Sequence, residues 1–140
     1  MSFANPDDST LRKLFKTAKN VAMVGLSPDP ERPSHAVAKA LQGNGYRVVP
    51  VNPQHGMILG EKSYASLAAI PADVPIDIVD VFRRSDAVVP IAQEAVKIGA
   101  RALWLQQGVY NEEAAAIADK GGLICVMDYC IKVAHSTLSS

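Results

Sequence analysis

The sequence lacks an excess of charge of either sign. Fourteen Lys and Arg stand against fourteen Asp and Glu, a formal net charge of zero. A nonspecific nucleic-acid or membrane-surface binder carries a basic excess, so neither class fits. Any anionic ligand has to be held by local groups rather than by the overall field. Cysteine is scarce as well. Cys125 and Cys130 are too few for a disulfide framework and lack the spacing of a zinc site. No apolar run approaches the ~20 residues of a membrane span. The opening MSFANPDDST is polar and acidic and does not read as a secretory signal. These absences point to a soluble protein of a reducing, cytoplasmic compartment. What is present is 49% hydrophobic and 20% charged residues over 140 positions, a globular composition. The length matches one domain, 1–140, able to bury about two thirds of its unfolded surface without staples.

Short apolar runs alternate with amphipathic ones. NVAMVGL (20–26), YRVVPVN (46–52), IDIVDVF (76–82), RALWLQ (101–106) and LICVMD (123–128) read as strands. They are apolar on both faces, as strands of a parallel sheet covered by helices on both sides must be. Helical patterns fill the gaps. SHAVAKALQGNG (34–45) puts Val37, Ala38 and Leu41 on one face and closes on glycines. SDAVVPIAQEAVKIG (85–99) starts late, because Pro90 is tolerated only in a first turn. NEEAAAIADKGG (111–122) opens on Asn111 with two glutamates behind it. A further helix is expected near 9–19 and a short one over 129–138.

This succession predicts an α/β fold: a three-layer, Rossmann-like domain with a mostly parallel five-stranded sheet and right-handed crossovers. The expected strand order is 3-2-1-4-5, with a flavodoxin-like 2-1-3-4-5 as the alternative. Pro50 inside the second strand predicts a bulge or an early strand end. Segment 53–75 is long and carries only SYASLAAI (63–70) as a helical candidate; loops of that length are often functional.

Ligands of open α/β sheets bind beyond the carboxyl ends of the strands, where the strand order reverses. Gly25 makes the turn out of the first strand there, and LSPDPERPS (26–34) runs from it into a helix. The free N–H groups and positive dipole end of that helix form an anion site. Arg32, with the Ser27 and Ser34 hydroxyls, suits phosphate or pyrophosphate. The alternative is a stiffened loop with Arg32 paired to Asp29 or Glu31. Arg83 and Arg84 follow the third strand on the same edge, one of them expected to be a solvated surface residue. Phe82 either lies against an adenine ring or is a core aromatic. Gly108 either lets backbone approach a ligand or is an ordinary turn glycine.

A G-x-G-x-x-G fingerprint is missing. So is the carboxylate that binds the ribose 2′-hydroxyl of NAD; Asn52-Pro53 stands at its place. This argues against NAD and tolerates a ligand with an extra phosphate.

VGLSPDPERPS (24–34), VPVNP (49–53), ILGEKSYASLAAIP (58–71), VDVFRRS (79–85), LWLQQGV (103–109) and VMDYCIKVAH (126–135) together resemble the small stand-alone CoA-binding proteins. These are similar to the CoA-binding domain of the succinyl-CoA synthetase α subunit. The likeness spans about residues 10–138. It implies coenzyme A or an acyl-CoA over the switch point. Gly25, Ser27, Arg32 and Ser34 would serve the phosphates, Asn52 and Pro53 would lie in the second loop, and Phe82 and Arg83 would hold the adenosine end. Tyr129 stands where relatives carry Arg. The synthetase's second domain, with its phosphorylated histidine, has no counterpart in this sequence, so ligase activity is not carried over.

Signals for catalysis are thin. His35, His55 and His135 are scattered and suggest no metal cluster. Cys125 reads as core; Cys130, near a helix start, is a candidate reactive thiol. Asp80 ends a strand near the site, where its carboxylate is expected to accept local backbone N–H groups. The residues favour a noncatalytic binding or regulatory module with a small-molecule nucleotide ligand. The alternatives are an acyl-CoA enzyme, an NAD(P)-binding dehydrogenase-like protein with a degenerate fingerprint, and a regulatory partner of a larger CoA enzyme.

Overall fold

A computed structural model describes residues 3–138; the first and last two residues of the chain lie outside that range. In chain order the elements are α1 (Asp8–Thr17), β1 (Asn20–Val24), α2 (Pro33–Gly43), β2 (Arg47–Val51), a small hairpin of β3 (Met57–Ile58) and β4 (Glu61–Lys62), β5 (Ile78–Val81), α3 (Val88–Lys97), β6 (Ala102–Leu105), α4 (Glu112–Lys120), β7 (Ile124–Val126) and α5 (Ile131–Leu138). Single 3-10 turns occupy Leu67–Ala69 and Ser85–Ala87.

Strand pleating decides which side chains meet which helices. Val21, Met23, Val48, Ile78, Trp104 and Val126 face one side, where Leu11, Leu14 and Phe15 of α1, Val37 and Leu41 of α2 and Ile131 of α5 cover them. Ala22, Val24, Val49, Val79, Val81, Leu103 and Leu105 face the other, under Val88 and Ala92 of α3 and Ala114 and Ala118 of α4. Each fully buried large side chain contributes about 1.5–3 kcal/mol. Trp104, 0% exposed, is the largest, and its indole N–H donates to the Tyr129 carbonyl at 2.7 Å. The helix starts follow the chemistry expected of them: Asp7 accepts from the Thr10 amide, and Asn111 from the Ala114 amide, each at 2.9 Å.

The five expected runs form one parallel, Rossmann-like sheet in the order β2-β1-β5-β6-β7. Counted over those five strands alone, this is 2-1-3-4-5: run 76–82 lies beside β1, not outside β2. The third place of the 3-2-1-4-5 winding is held by Tyr64, which makes a single parallel bridge to Val51 on the outer edge of β2. Segment 53–75 supplies a hairpin of two-residue strands and a 3-10 turn, and not the helix expected over 63–70. Either count puts the reversal of direction between β1 and β5.

β2 runs without a bulge through Pro50, contrary to expectation. The Pro50 carbonyl accepts from the Tyr64 amide, and the Asn52 amide donates to the Tyr64 carbonyl. Pro50 therefore turns its donor-less nitrogen to the outer edge, where only Tyr64 pairs, and no bond to β1 is lost. The 85–99 helix begins at Val88 after its 3-10 turn, with Pro90 in the first turn.

Candidate functional site

The site is built where β1 and β5 part. Gly25 leaves β1 with φ +87°, and a Cβ there would lie 2.4 Å from the Phe82 carbonyl oxygen and 3.1 Å from Arg83 Cδ. Only glycine lets the two loops pass this closely. The Gly25 amide donates to Val51 and the Phe82 amide to Val24, so the loops after β1, β2 and β5 are stitched together at one point.

Beyond Gly25 the chain is braced by its own polar groups. The Ser27 amide donates to Ser34 Oγ at 3.0 Å, the Asp29 amide to Ser27 Oγ at 3.1 Å, and the Glu31 amide to Asp29 Oδ1 at 2.9 Å. Asp29 is thus spent on a turn. Among the described residues Arg32 makes no ion pair, and the alternative of a pair with Asp29 or Glu31 is not realised. Arg32 occupies the N-cap of α2, whose start no side chain caps. An exposed guanidinium beside an uncapped helix N-terminus adds two favourable terms for an anion. After β5, Arg84 pairs with Asp86 at 3.3 Å in open solvent, whereas Arg83 pairs with no carboxylate among the described residues. Both arginines are exposed and both line the third cavity described below; Arg83 alone of the two also lines the first.

Three adjoining cavities share Phe82. One of about 460 Å³ is lined by Gly25, Asn52, Pro53, Phe82 and Arg83, with Val24, Leu67, Pro90, Ile91 and Glu94. A second, about 380 Å³, is lined by Gly25, Ser27, Arg32, Pro33, Ser34 and Phe82. A third, about 540 Å³, lies between Phe82, Val37, Gln106, Val109 and Cys130, with Arg83 and Pro33 on its rim. The sheet edge therefore gathers Gly25, Ser27, Arg32, Ser34, Asn52, Pro53, Phe82 and Arg83. Gly108 lines none of these cavities; its φ of +86° serves a turn, and its amide donates to Asp128 Oδ1 at 2.7 Å. Asn52 lines the first cavity, but its amide is already engaged. Nδ2 donates to the Leu26 carbonyl at 3.0 Å, and Oδ1 accepts from the Gln54 amide at 2.9 Å. These bonds hold the second loop against the first and leave one N–H and one lone pair of the amide toward the cavity.

Asp80 departs from the expected reading. It is 0% exposed, and instead of backbone amides it meets only the Gln106 side chain, whose Nε2 donates to Oδ1 at 2.6 Å. Oδ2 has no partner. Burial raises its pKa to about 8, against the smaller opposing effect of the Gln106 bond. Burial thus favours the protonated, neutral form of this carboxyl.

The sequence reading passed over the cavity walls supplied by Ala65, Ser66 and Leu67 and by the first turns of α3. The length of segment 53–75 was the one signal for the former. Tyr129 acts through its carbonyl and through its ring, 6.0 Å from that of Trp104. His135 packs edge-on against Phe15 and Tyr46, and neither His35 nor His55 lines the three cavities. Among the described residues no group of three or more His, Cys, Asp or Glu is placed to hold a metal, and no helix is long and apolar enough to cross a membrane.

A doubly wound sheet with cavities at its switch point belongs to the class of open α/β domains that hold their ligands at that edge. Residues 19–136 match the CoA binding domain family, and the chain belongs to that family. It is 45% identical over 132 residues to the Bacillus subtilis (strain 168) protein described as "Uncharacterized protein YneT", covering 94% of this chain and 96% of that one. A solved structure of a hypothetical protein from Pyrococcus horikoshii OT3 superimposes with a TM-score of 0.91 at 37% identity, over 100% of both chains. The α subunit of the ADP-forming acetate–CoA ligase II of Pyrococcus furiosus is 26% identical over 138 residues, covering 90% of this chain but only 30% of that subunit.

Proposed function

We propose that the chain acts as one noncatalytic unit that binds coenzyme A, or an acyl-CoA, along the carboxyl edge of its sheet. The adenine ring enters the cavity walled by Val24, Leu67 and Ile91, with Glu94 offering an acceptor to its exocyclic amine. Phe82 and Arg83 flank the adenosine end, and the pyrophosphate meets Arg32, Ser27, Ser34 and the start of α2. The observation that carries this reading is the pair of arginines, Arg32 and Arg83, without carboxylate partners among the described residues and beside adjoining cavities. A ligand with a pyrophosphate and a third phosphate supplies the missing anions. Family membership and the match to a CoA ligase subunit support the same ligand. The missing glycine fingerprint and the neutral Asn52 set it apart from an NAD site. A reducing cytoplasmic setting suits two free cysteines.

Calorimetric titration with CoA is expected to give micromolar or tighter affinity, and NAD should not displace the ligand. Silence with both CoA and acetyl-CoA, at protein concentrations suited to that range, contradicts the proposal.

A further inference from the structure

The third cavity contains groups that phosphate binding does not use. Phe82 and Pro33 also line the Arg32 pocket, so a ligand anchored there reaches this cavity along one continuous surface. Gln106 forms part of the lining although it is only 3% exposed. Asp80 fixes its Nε2, while its Oε1 takes no hydrogen bond from the protein among the described residues. A nearly buried acceptor in a mostly apolar cavity calls for a donor from a ligand. Along the same wall lies Cys130, a free, half-buried thiol just ahead of α5. The other free cysteine, Cys125, is buried in β7, and its thiol is pushed up to about 12 by burial and then by the nearby Asp119 carboxylate. Cys125 stays a protonated, inert thiol.

We infer that this cavity is a thiol-exchange site, where an amide of the pantetheine arm donates to Gln106 Oε1 and Cys130 takes up CoA as a mixed disulfide from CoA disulfide. The inference rests on the CoA reading and adds a covalent step to it. Cys130 gives up its proton and its Sγ attacks one sulfur of the CoA disulfide. The S–S bond of the disulfide breaks as the Sγ–S bond forms. The second CoA leaves as a thiolate and takes up a proton. Cys130 is oxidised, the departing CoA is reduced, and no other oxidant is needed.

The test is intact-mass analysis of the whole chain incubated with CoA disulfide, and in parallel with glutathione disulfide. The expected product is one adduct, heavier by one CoA less two hydrogens and removed by dithiothreitol. It is absent in Cys130→Ser and kept in Cys125→Ser. Docking of the nucleotide raises the local concentration of the disulfide, so adduct formation should outpace that from glutathione disulfide by on the order of tenfold or more. Equal rates, or an adduct on Cys125, overturn the inference. Calorimetry with reduced CoA separates its failure from that of the CoA reading. Noncovalent binding without an adduct overturns the exchange site alone, and absence of both overturns the two together.

Discussion

The two ends of β5 treat charge in opposite ways. At the amino end, Asp77 accepts from the backbone amides of Lys19 and Asn20 at 2.9 and 3.0 Å and pairs with Arg101 at 3.6 Å. Arg101 in turn donates to Thr17 Oγ1 at 2.8 Å. Asp77 and Arg101 both find their partners within the chain. At the carboxyl end, Arg32 and Arg83 have no carboxylate among the described residues, and Asp80, three residues from Asp77, has an oxygen with no partner at all. The amino end closes the fold. The carboxyl end leaves its electrostatics unfinished, and the function we propose has a ligand complete it.

The largest expected effect concerns Asp80. Its folded-state pKa of about 8 lies above the ordinary carboxylate value near 4. The folded state therefore holds a proton that the unfolded state has released, and the stability from this group is full below about pH 4. It falls by roughly 1 kcal/mol per pH unit as pH rises to about 8, then levels off. Urea unfolding at pH 5, 7 and 9 should show this loss in the wild type and not in Asp80→Asn, which mimics the protonated acid. Equal slopes would mean that Asp80 is already ionised in the fold.

Next comes Gly25→Ala. A Cβ 2.4 Å from the Phe82 carbonyl at φ +87° is expected to cost about 2–4 kcal/mol of stability and to weaken CoA binding as well. Denaturant melts and a CoA titration check both; a neutral result would mean that the loops after β1 and β5 can part freely.

Substituting the arginines sharpens the contrast between the two ends. Arg32→Ala and Arg83→Ala should each weaken CoA binding by about 1.5–3 kcal/mol, while changing stability by less than ~0.5 kcal/mol. Arg101→Ala should do the reverse, costing about 0.5–1 kcal/mol of stability with CoA affinity unchanged. Side-by-side melts and titrations separate the two patterns. An Arg83→Ala protein that binds normally but unfolds early would erase the distinction.

Much of this could be read from residues in order. The strands announced themselves by Val- and Ile-rich runs, the start of α4 by Asn111, and the proposed anion site by Arg32 and Arg83 placed after strands. What escaped is nonlocal. Whether run 76–82 pairs with β1 or lies outside β2 depends on segment 53–75, which contributes a bridge at Tyr64 where a strand would have set the count. That Asn52 also ties the second loop to Leu26 and Gln54 could not be read from its own neighbourhood in sequence. Asp80 is expected to accept local backbone N–H groups; that it meets Gln106 instead, 26 positions away, is a contact no local pattern shows.

The most direct test is nuclear magnetic resonance of isotope-labelled protein titrated with CoA. Amide signals of Gly25, Ser27, Ser34 and Arg83 should shift while those of Lys19, Asp77 and Arg101 stay still. Shifts centred on the amino end, or none at the carboxyl end with CoA bound, would contradict the account.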